Sequence, residues 1–447
     1  MSSNQACLNQ DSSTLRKLIR GESVGGLTLI FAALFAIFVV NIPNMETFLL
    51  SAGVTNYGSW LSLSESFNAI LEYKLTIGVE HTVKQWVNDG VMYLFFFTIG
   101  LEVKRALFDE KGSLNSLQKA ALPAIAAVAG VVVPAAIYVA FNHGDVAALK
   151  GWAVPTATDI AFALGVLMLV GVKRVPLSVK VFLLAIAVLD DLIAVGVIAI
   201  FYSHELNMDA LMYGSIFIGL LAFQNYKKSN NFMFYLLWGA GLWGCTLASG
   251  IHPTVAGVIT ALMIPTTAKL GGSYSLLKTW EHELSPMNAW IVMPLFALAN
   301  AGVNLAGVTM DTLLNPVTGG VAIALAFGKP VGIIGATLLA IKYTSLKLPD
   351  DMTKQHLTGI GLLAAIGFTM SIFVTDLAFH NNAIFALDSK MAVLIASFLM
   401  GTIGFIYCRF NFPVLKDGAV KNETIDIEND SNEKNVMPEK TCNCNSA

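Results

Sequence analysis

The stretch VKVFLLAIAVLDDLIAVGVIAIFYS, residues 179–203, is apolar over a length that crosses a bilayer, yet two adjacent acids, Asp190 and Asp191, sit at its middle. About twenty apolar residues span a hydrocarbon core. One Asp at the centre of such a helix costs roughly 2.5–3.5 kcal/mol to insert. A chain that carries two side by side must use them or pair them, and intramembrane carboxylates usually mark an ion or proton path.

The rest of the chain has the same character. It has 447 residues, 55% hydrophobic and 13% charged, with mean hydropathy +0.66 and net charge −3. Soluble domains carry about 25% charged residues. These values indicate an all-α polytopic membrane protein and leave no basic block for nucleic acid. The five cysteines, Cys7, Cys245, Cys408, Cys442 and Cys444, form no disulfide framework. A lone C-x-C in a polar tail is weak evidence for a metal, and no cofactor is expected. Arg16, Lys17 and Arg20 precede the first apolar run without a small-residue cleavage site, as in an uncleaved first span.

Hydropathy predicts about twelve spans, near 25–42, 88–106, 120–142, 152–171, 177–203, 209–225, 231–249, 252–265, 287–307, 317–342, 357–379 and 390–409. Lys104, Arg105, Lys111, Lys119, Lys173, Arg174, Lys227, Lys228, Lys269, Lys278, Lys347 and Lys354 fall in alternate loops. The opposite loops 204–208, 250–251 and 308–316 hold no Lys or Arg, with Lys150 and Lys390 as isolated exceptions. The positive-inside rule then puts both termini in the cytoplasm. Residues 1–412 form one transmembrane domain, and 413–447 a disordered polar cytoplasmic tail. The long outer loop, 43–87, contains TNYGSWLSLSESF (55–67), whose partial alternation suits a hairpin or an irregular loop.

Two spans are interrupted. The fourth holds VPTATDIAFALG, in which Pro155, Thr156, Thr158 and Asp159 break an apolar helix; the eleventh holds AAIGFTMSIFVTD, broken at Gly367 and Thr369. Such breaks in corresponding parts of two halves point to a transporter site. Spans four and eleven are seven apart and run in opposite directions, as an inverted repeat of spans 3–5 and 10–12 requires. Facing helix ends bring partial charges of about ±0.5 together. Asp159 and Lys329, the one Lys or Arg in the middle of a span, can neutralise them. Asp190 and Asp191 point about 100° apart on a helix, so an Asp190–Lys329 ion pair accounts for one acid and leaves the other. A carboxylate there can hold a proton or a hard cation such as Na⁺ or Li⁺. A site that binds one or the other, but not both, already exchanges them.

Charged groups also cluster at span ends: Glu102, Lys104 and Arg105 after span two, and Lys278, Glu281, His282 and Glu283 before span nine. The plain reading is a solvated face. His252, on the outer side, is read as structural.

At these residues the chain resembles the bacterial NhaA Na⁺/H⁺ antiporter family. The matching strings are GLEVKR (100–105), PTATDIAFALG (155–165), AVLDDL (187–192), PLFALANAGV (294–303), FGKP (327–330) and AIGFTMSIF (365–373), in order within about residues 15–412. The resemblance implies twelve helices and electrogenic, pH-regulated exchange of cytoplasmic Na⁺ or Li⁺ for external H⁺ across the bacterial inner membrane. It implies cation and proton binding at Asp190, Asp191 and Thr158, with the two aspartates as Na⁺ ligands. It implies charge balance by Asp159 and Lys329, and cytoplasmic-side and pH-response positions at Glu102, Glu281, His282 and Asp89. It further implies a homodimer through an outer-loop hairpin near 55–79. The chain departs from the family at Ala106 (often Glu), Ser285 (often His) and Asp376 (a small polar residue), and in its longer acidic tail.

Other classes fit less well. An intramembrane aspartyl protease needs a GxGD string, which is absent. A retinal protein has seven spans. A cation–solute symporter should show more polar ligands at mid-membrane. A scaffold would not place four charges there, at roughly 10–14 kcal/mol.

Overall fold

The computed structural model describes residues 22–46, 57–77, 79–108, 114, 116–171, 174–203, 206–266, 275–305, 312, 314–349 and 351–414. The expected disorder of the tail and the cysteines Cys7, Cys442 and Cys444 lie outside these, apart from residues 413 and 414. The described chain is helical apart from one small hairpin. Helix α1 covers Glu22–Asn41 and α2 Tyr57–Glu72, followed by strands β1 (Lys74–Ile77) and β2 (Val79–Thr82). A short helix, Val83–Trp86, and a π turn, Val87–Val91, lead into α3 (Met92–Phe108); α4 is Leu117–Asn142. A 3₁₀ segment, Lys150–Thr156, precedes α5 (Ile160–Leu169). Then come α6 (Leu177–Phe201), α7 (Met208–Tyr226), α8 (Phe232–Ser249), α9 (Thr254–Met263) and α10 (Leu276–Met287). The last part holds α11 (Met293–Asn300), α12 (Pro316–Ile323), α13 (Lys329–Tyr343), α14 (Lys354–Ala364), α15 (Phe368–Ala378) and α16 (Ala383–Asn411).

Six of the described spans are long and apolar enough to cross a membrane, and eight if each of two bent pairs counts as one. The protein is therefore a multi-pass helical membrane protein. The bent pairs are the two interrupted spans: 146–156 with α5 at 43°, and α14 with α15 at 41°.

The outer loop corrects the sequence reading. Residues 57–72, which take in most of the 55–67 stretch read as a hairpin or irregular loop, form α2. The partial alternation hid a helical face: Leu61, Ser64, Phe67 and Leu71 are turned inward while their neighbours are exposed. Trp60 packs edge-on to Phe38 of α1, with centroids 5.9 Å apart. The hairpin lies further on, with Lys74 opposite Thr82 and Ile77 opposite Val79.

Prolines set local distortions that matter below. Pro294 and Pro330 stand second in α11 and α13. A proline inside a helix removes one hydrogen bond, and its ring clashes with the carbonyl four residues back. In both places the preceding turn widens to π, at Asn288–Val292 and Ala324–Gly328. Helices also approach closely at small residues. A Cβ on Gly332 of α13 would lie 2.4 Å from the Ala129 carbonyl oxygen of α4, and one on Gly26 of α1 would lie 2.6 Å from that of Ala161.

Candidate functional site

The two broken spans meet at their breaks. Ala157 is extended (φ −78°, ψ 151°) between the 3₁₀ segment and α5, and Asp159 is the N-cap of α5. The Asp159 backbone N–H donates to the Ile366 carbonyl at 2.7 Å, tying one break to the other. Space beside Gly367 is tight, since a Cβ there would meet Ser371 Oγ at 2.2 Å and the serine would have to turn away.

Four helix ends thus converge in the interior, and each receives a partner. Asp159 serves two N-termini: Oδ1 accepts from the Phe162 N–H of α5 at 2.9 Å, and Oδ2 from the Thr369 N–H of α15 at 3.1 Å. The Thr369 hydroxyl adds a bond to the same Oδ2 at 2.5 Å. The opposite ends carry exposed carbonyls. Lys329 Nζ donates to the Thr156 carbonyl at the end of the 3₁₀ segment. The Thr158 hydroxyl lies 3.1 Å from the Ala364 carbonyl at the end of α14. An anion thus faces the positive ends and a cation a negative one, the arrangement favoured by the helix dipole.

Helix α6 passes beside this crossing and brings Asp190 and Asp191. Asp190 Oδ2 accepts from Lys329 Nζ at 2.7 Å and from Thr158 Oγ1 at 2.6 Å. Asp190 Oδ1 and Asp191 Oδ2 are buried without a hydrogen-bond partner. Thr158, Asp159, Lys329 and Thr369 have no solvent exposure, and Asp190 and Asp191 have at most 2%. An orphaned carboxylate oxygen away from water is strongly unfavourable unless a proton or a cation meets it. Among the described residues no cluster of three or more His, Cys, Asp or Glu is arranged to hold a resident metal.

The other expected residues fall in two places. Glu102 lines a cleft whose wall also includes Asp159. Near Glu102, Arg105 of α3 pairs with Glu281 of α10 at 3.0 Å, and His282 is the exposed neighbour. Asp89 lies elsewhere. It precedes α3, at the opposite end from Glu102, with its Oδ2 3.3 Å from His81 Nδ1 and Oδ1 3.6 Å from His252 Nε2. The structure therefore does not bring Asp89 to Glu102 and Glu281, and His252 is not a lone histidine. Thr369 was singled out in the sequence as a helix interruption, not as a ligand; only the crossing shows that its hydroxyl and amide serve Asp159. Lys104, read as a solvated charge, turns inward to donate to the Leu262 and Ile264 carbonyls at 2.5 and 2.6 Å.

Buried acids and one lysine gathered where broken apolar helices cross define a membrane ion transporter, not an enzyme. The profile described as Na⁺/H⁺ antiporter 1 matches residues 16–408. A Na⁺/H⁺ antiporter NhaA of Vibrio campbellii is 42% identical over 404 residues, 90% of this chain and 96% of that one. Those of Serratia proteamaculans and Proteus mirabilis are 41% and 42% identical over 90% and 91% of this chain and 99% of theirs. The chain belongs to the Na⁺/H⁺ antiporter 1 family.

Proposed function

We propose that the protein exchanges cytoplasmic Na⁺ or Li⁺ for external H⁺ across the bacterial inner membrane, with twelve spans and both termini in the cytoplasm. The reading is carried by one observation: the orphaned oxygens of Asp190 and Asp191 at the crossing of two broken helices. Asp191 and Asp190 take either cations or protons. Thr158 adds an oxygen beside them, and Lys329 holds Asp190 while the site is empty of Na⁺. Asp159 and Lys329 balance the helix ends throughout the cycle. Moving more than one proton per Na⁺ makes the exchange electrogenic.

The span count rests on helix at each of the twelve predicted stretches, and the orientation on the Lys and Arg loops. The repeat of spans 3–5 and 10–12 is supported by the close packing of α4 on α13, its third and tenth members, through Gly130, Gly328 and Gly332. In this orientation the cleft from Glu102 to Asp159 opens toward the cytoplasm. Phe373 of α15 closes the other side, packed on Phe96, Phe296 and the His252 ring at 5.8, 6.0 and 5.1 Å. Glu102, Glu281 and His282 then form the cytoplasmic pH-responsive mouth. Asp89, with His81 and His252, faces the exterior. The hairpin, with Tyr73 and Leu75 exposed, offers free strand edges to a second copy, and lipid covers the apolar belt. This accounts for Na⁺ extrusion and pH homeostasis.

The test is proton efflux from acid-loaded everted vesicles on addition of NaCl, LiCl, KCl or choline chloride. Efflux with Na⁺ and Li⁺ alone is expected. Efflux with none of the four, from vesicles containing the protein, would contradict the reading. Efflux coupled to an organic solute would favour a symporter.

A further inference from the structure

The wall of the cleft is mostly apolar between its two carboxylates. Phe95, Ile99 and Glu102 share one face of α3 at spacings of four and three, and all three line the cleft. Glu102 and Phe95 are seven residues, or about 10 Å, apart along the axis. Asp159 stands at the inner part with Ile160, Ala161 and Leu164 around it. A hard cation that left its water at Glu102 would find apolar wall along most of this path.

The facing wall supplies polar side chains on the way. Ser285 and Asn288 both line the cleft, three residues apart on one face. The chain here runs inward, since Glu281 pairs with Arg105 beside Glu102 while Asn300 bonds Asn88 at 2.7 Å at the far end. Asn288 is therefore about 4.5 Å deeper than Ser285. Its Oδ1 is buried and accepts no hydrogen bond. An orphaned amide oxygen away from water is unfavourable and needs a reason.

The backbone at Asn288 is also built. The π turn Asn288–Val292 starts at this residue, with the Met293 N–H donating to the Asn288 carbonyl. Pro294 follows the widened turn, and α1 packs against it: a Cβ on Gly25 would lie 2.5 Å from Ala289 Cβ, and Thr28 Oγ1 reaches the Ala289 carbonyl at 3.5 Å. π turns inside α-helices occur frequently at functional sites.

We infer that Asn288 is a cation-handling residue, whose amide oxygen holds Na⁺ or Li⁺ in the cleft between Glu102 and the Asp159 crossing. The inference rests on the exchange reading above and assigns a station on its cytoplasmic path. A neutral oxygen suits a passing site, because it replaces one water of the cation's shell without trapping it as a carboxylate would. Ser285 and Glu102 flank the same passage on its cytoplasmic side.

The test is the Na⁺ dependence of proton efflux in everted vesicles at alkaline pH, with Asn288→Leu, Asn288→Ser and Asn288→Asp beside wild type. Leu is apolar and close in volume. It should raise half-saturating Na⁺ by roughly five- to ten-fold, the scale of one lost polar contact, while the maximal rate stays within twofold. Ser should fall between Leu and wild type, and Asp should lower half-saturating Na⁺. Wild-type half-saturation in the Leu variant would overturn the assignment, as would a lost maximal rate at unchanged half-saturation, the mark of a packing role. If Leu does not reach the membrane, the order Asp below wild type below Ser decides, and equal values for the three overturn it. Wild-type vesicles without Na⁺-dependent efflux would instead overturn the exchange reading.

Discussion

Asp159 and Thr369 come from opposite halves of the chain and are joined twice, by the Thr369 amide at 3.1 Å and its hydroxyl at 2.5 Å to the same carboxylate oxygen. The threonine thus fixes the start of one broken helix to the start of the other. Thr369→Val keeps the shape and deletes the hydroxyl. We expect a loss of about 1–3 kcal/mol, read as a lower melting temperature in detergent, and slower exchange. Thr369→Ser should keep most of both. A Val variant that melts with wild type would show that the hydroxyl is dispensable to the crossing.

Lys329 bonds to Asp190 and to a helix-end carbonyl in the same interior. Lys329→Ala leaves a buried acid without its counter-ion. Truncating one member of a buried ion pair typically costs about 3–5 kcal/mol, so the melting temperature should drop well beyond the effect of a surface lysine such as Lys227. Lys329→Arg, which keeps the charge, should melt closer to wild type. Equal melting of wild type and Lys329→Ala would remove the electrostatic role.

Much of this site was legible in the chain because charge inside an apolar run has few explanations. Asp159, Asp190, Asp191 and Lys329 each stood out by depth alone, and Pro155 and Gly367 gave the breaks. Pairing was harder. Nothing in the spacing tells that Asp159 answers Thr369, 210 positions away, because that contact depends on how two bent helices cross. Asp89 was placed by resemblance with Glu102, yet thirteen residues of helix separate opposite ends of a span. The hairpin reading of 55–67 failed because Ser and Gly between apolar residues mimic alternation over a short stretch, while the inward face of α2 repeats every three to four.

In the proposed function the cluster at the cytoplasmic mouth sets the pH response. Arg105 holds Glu281 at 3.0 Å, and Lys104 is committed to the Leu262 and Ile264 carbonyls at the end of α9. Glu102, Glu281 and His282 set the field at this mouth, and a more negative mouth draws cations in. Activity should rise with pH. Glu281→Gln and His282→Ala should each displace the pH profile of proton efflux between about pH 6.5 and 9 by a few tenths of a unit or more, with maximal alkaline exchange largely kept. Profiles that superimpose on wild type would make the cluster a solvated face.

The central claim is that the orphaned carboxylates on α6 carry the exchanged ions. Asp191→Asn keeps size and depth but removes the charge that titrates, and it leaves the Lys329–Asp190 pair in place. The decisive measurement is Na⁺- and Li⁺-driven proton efflux by this variant in everted vesicles at several pH values, at membrane levels matched to wild type. The account predicts loss of exchange at every pH. Robust exchange by Asp191→Asn at any pH would contradict it.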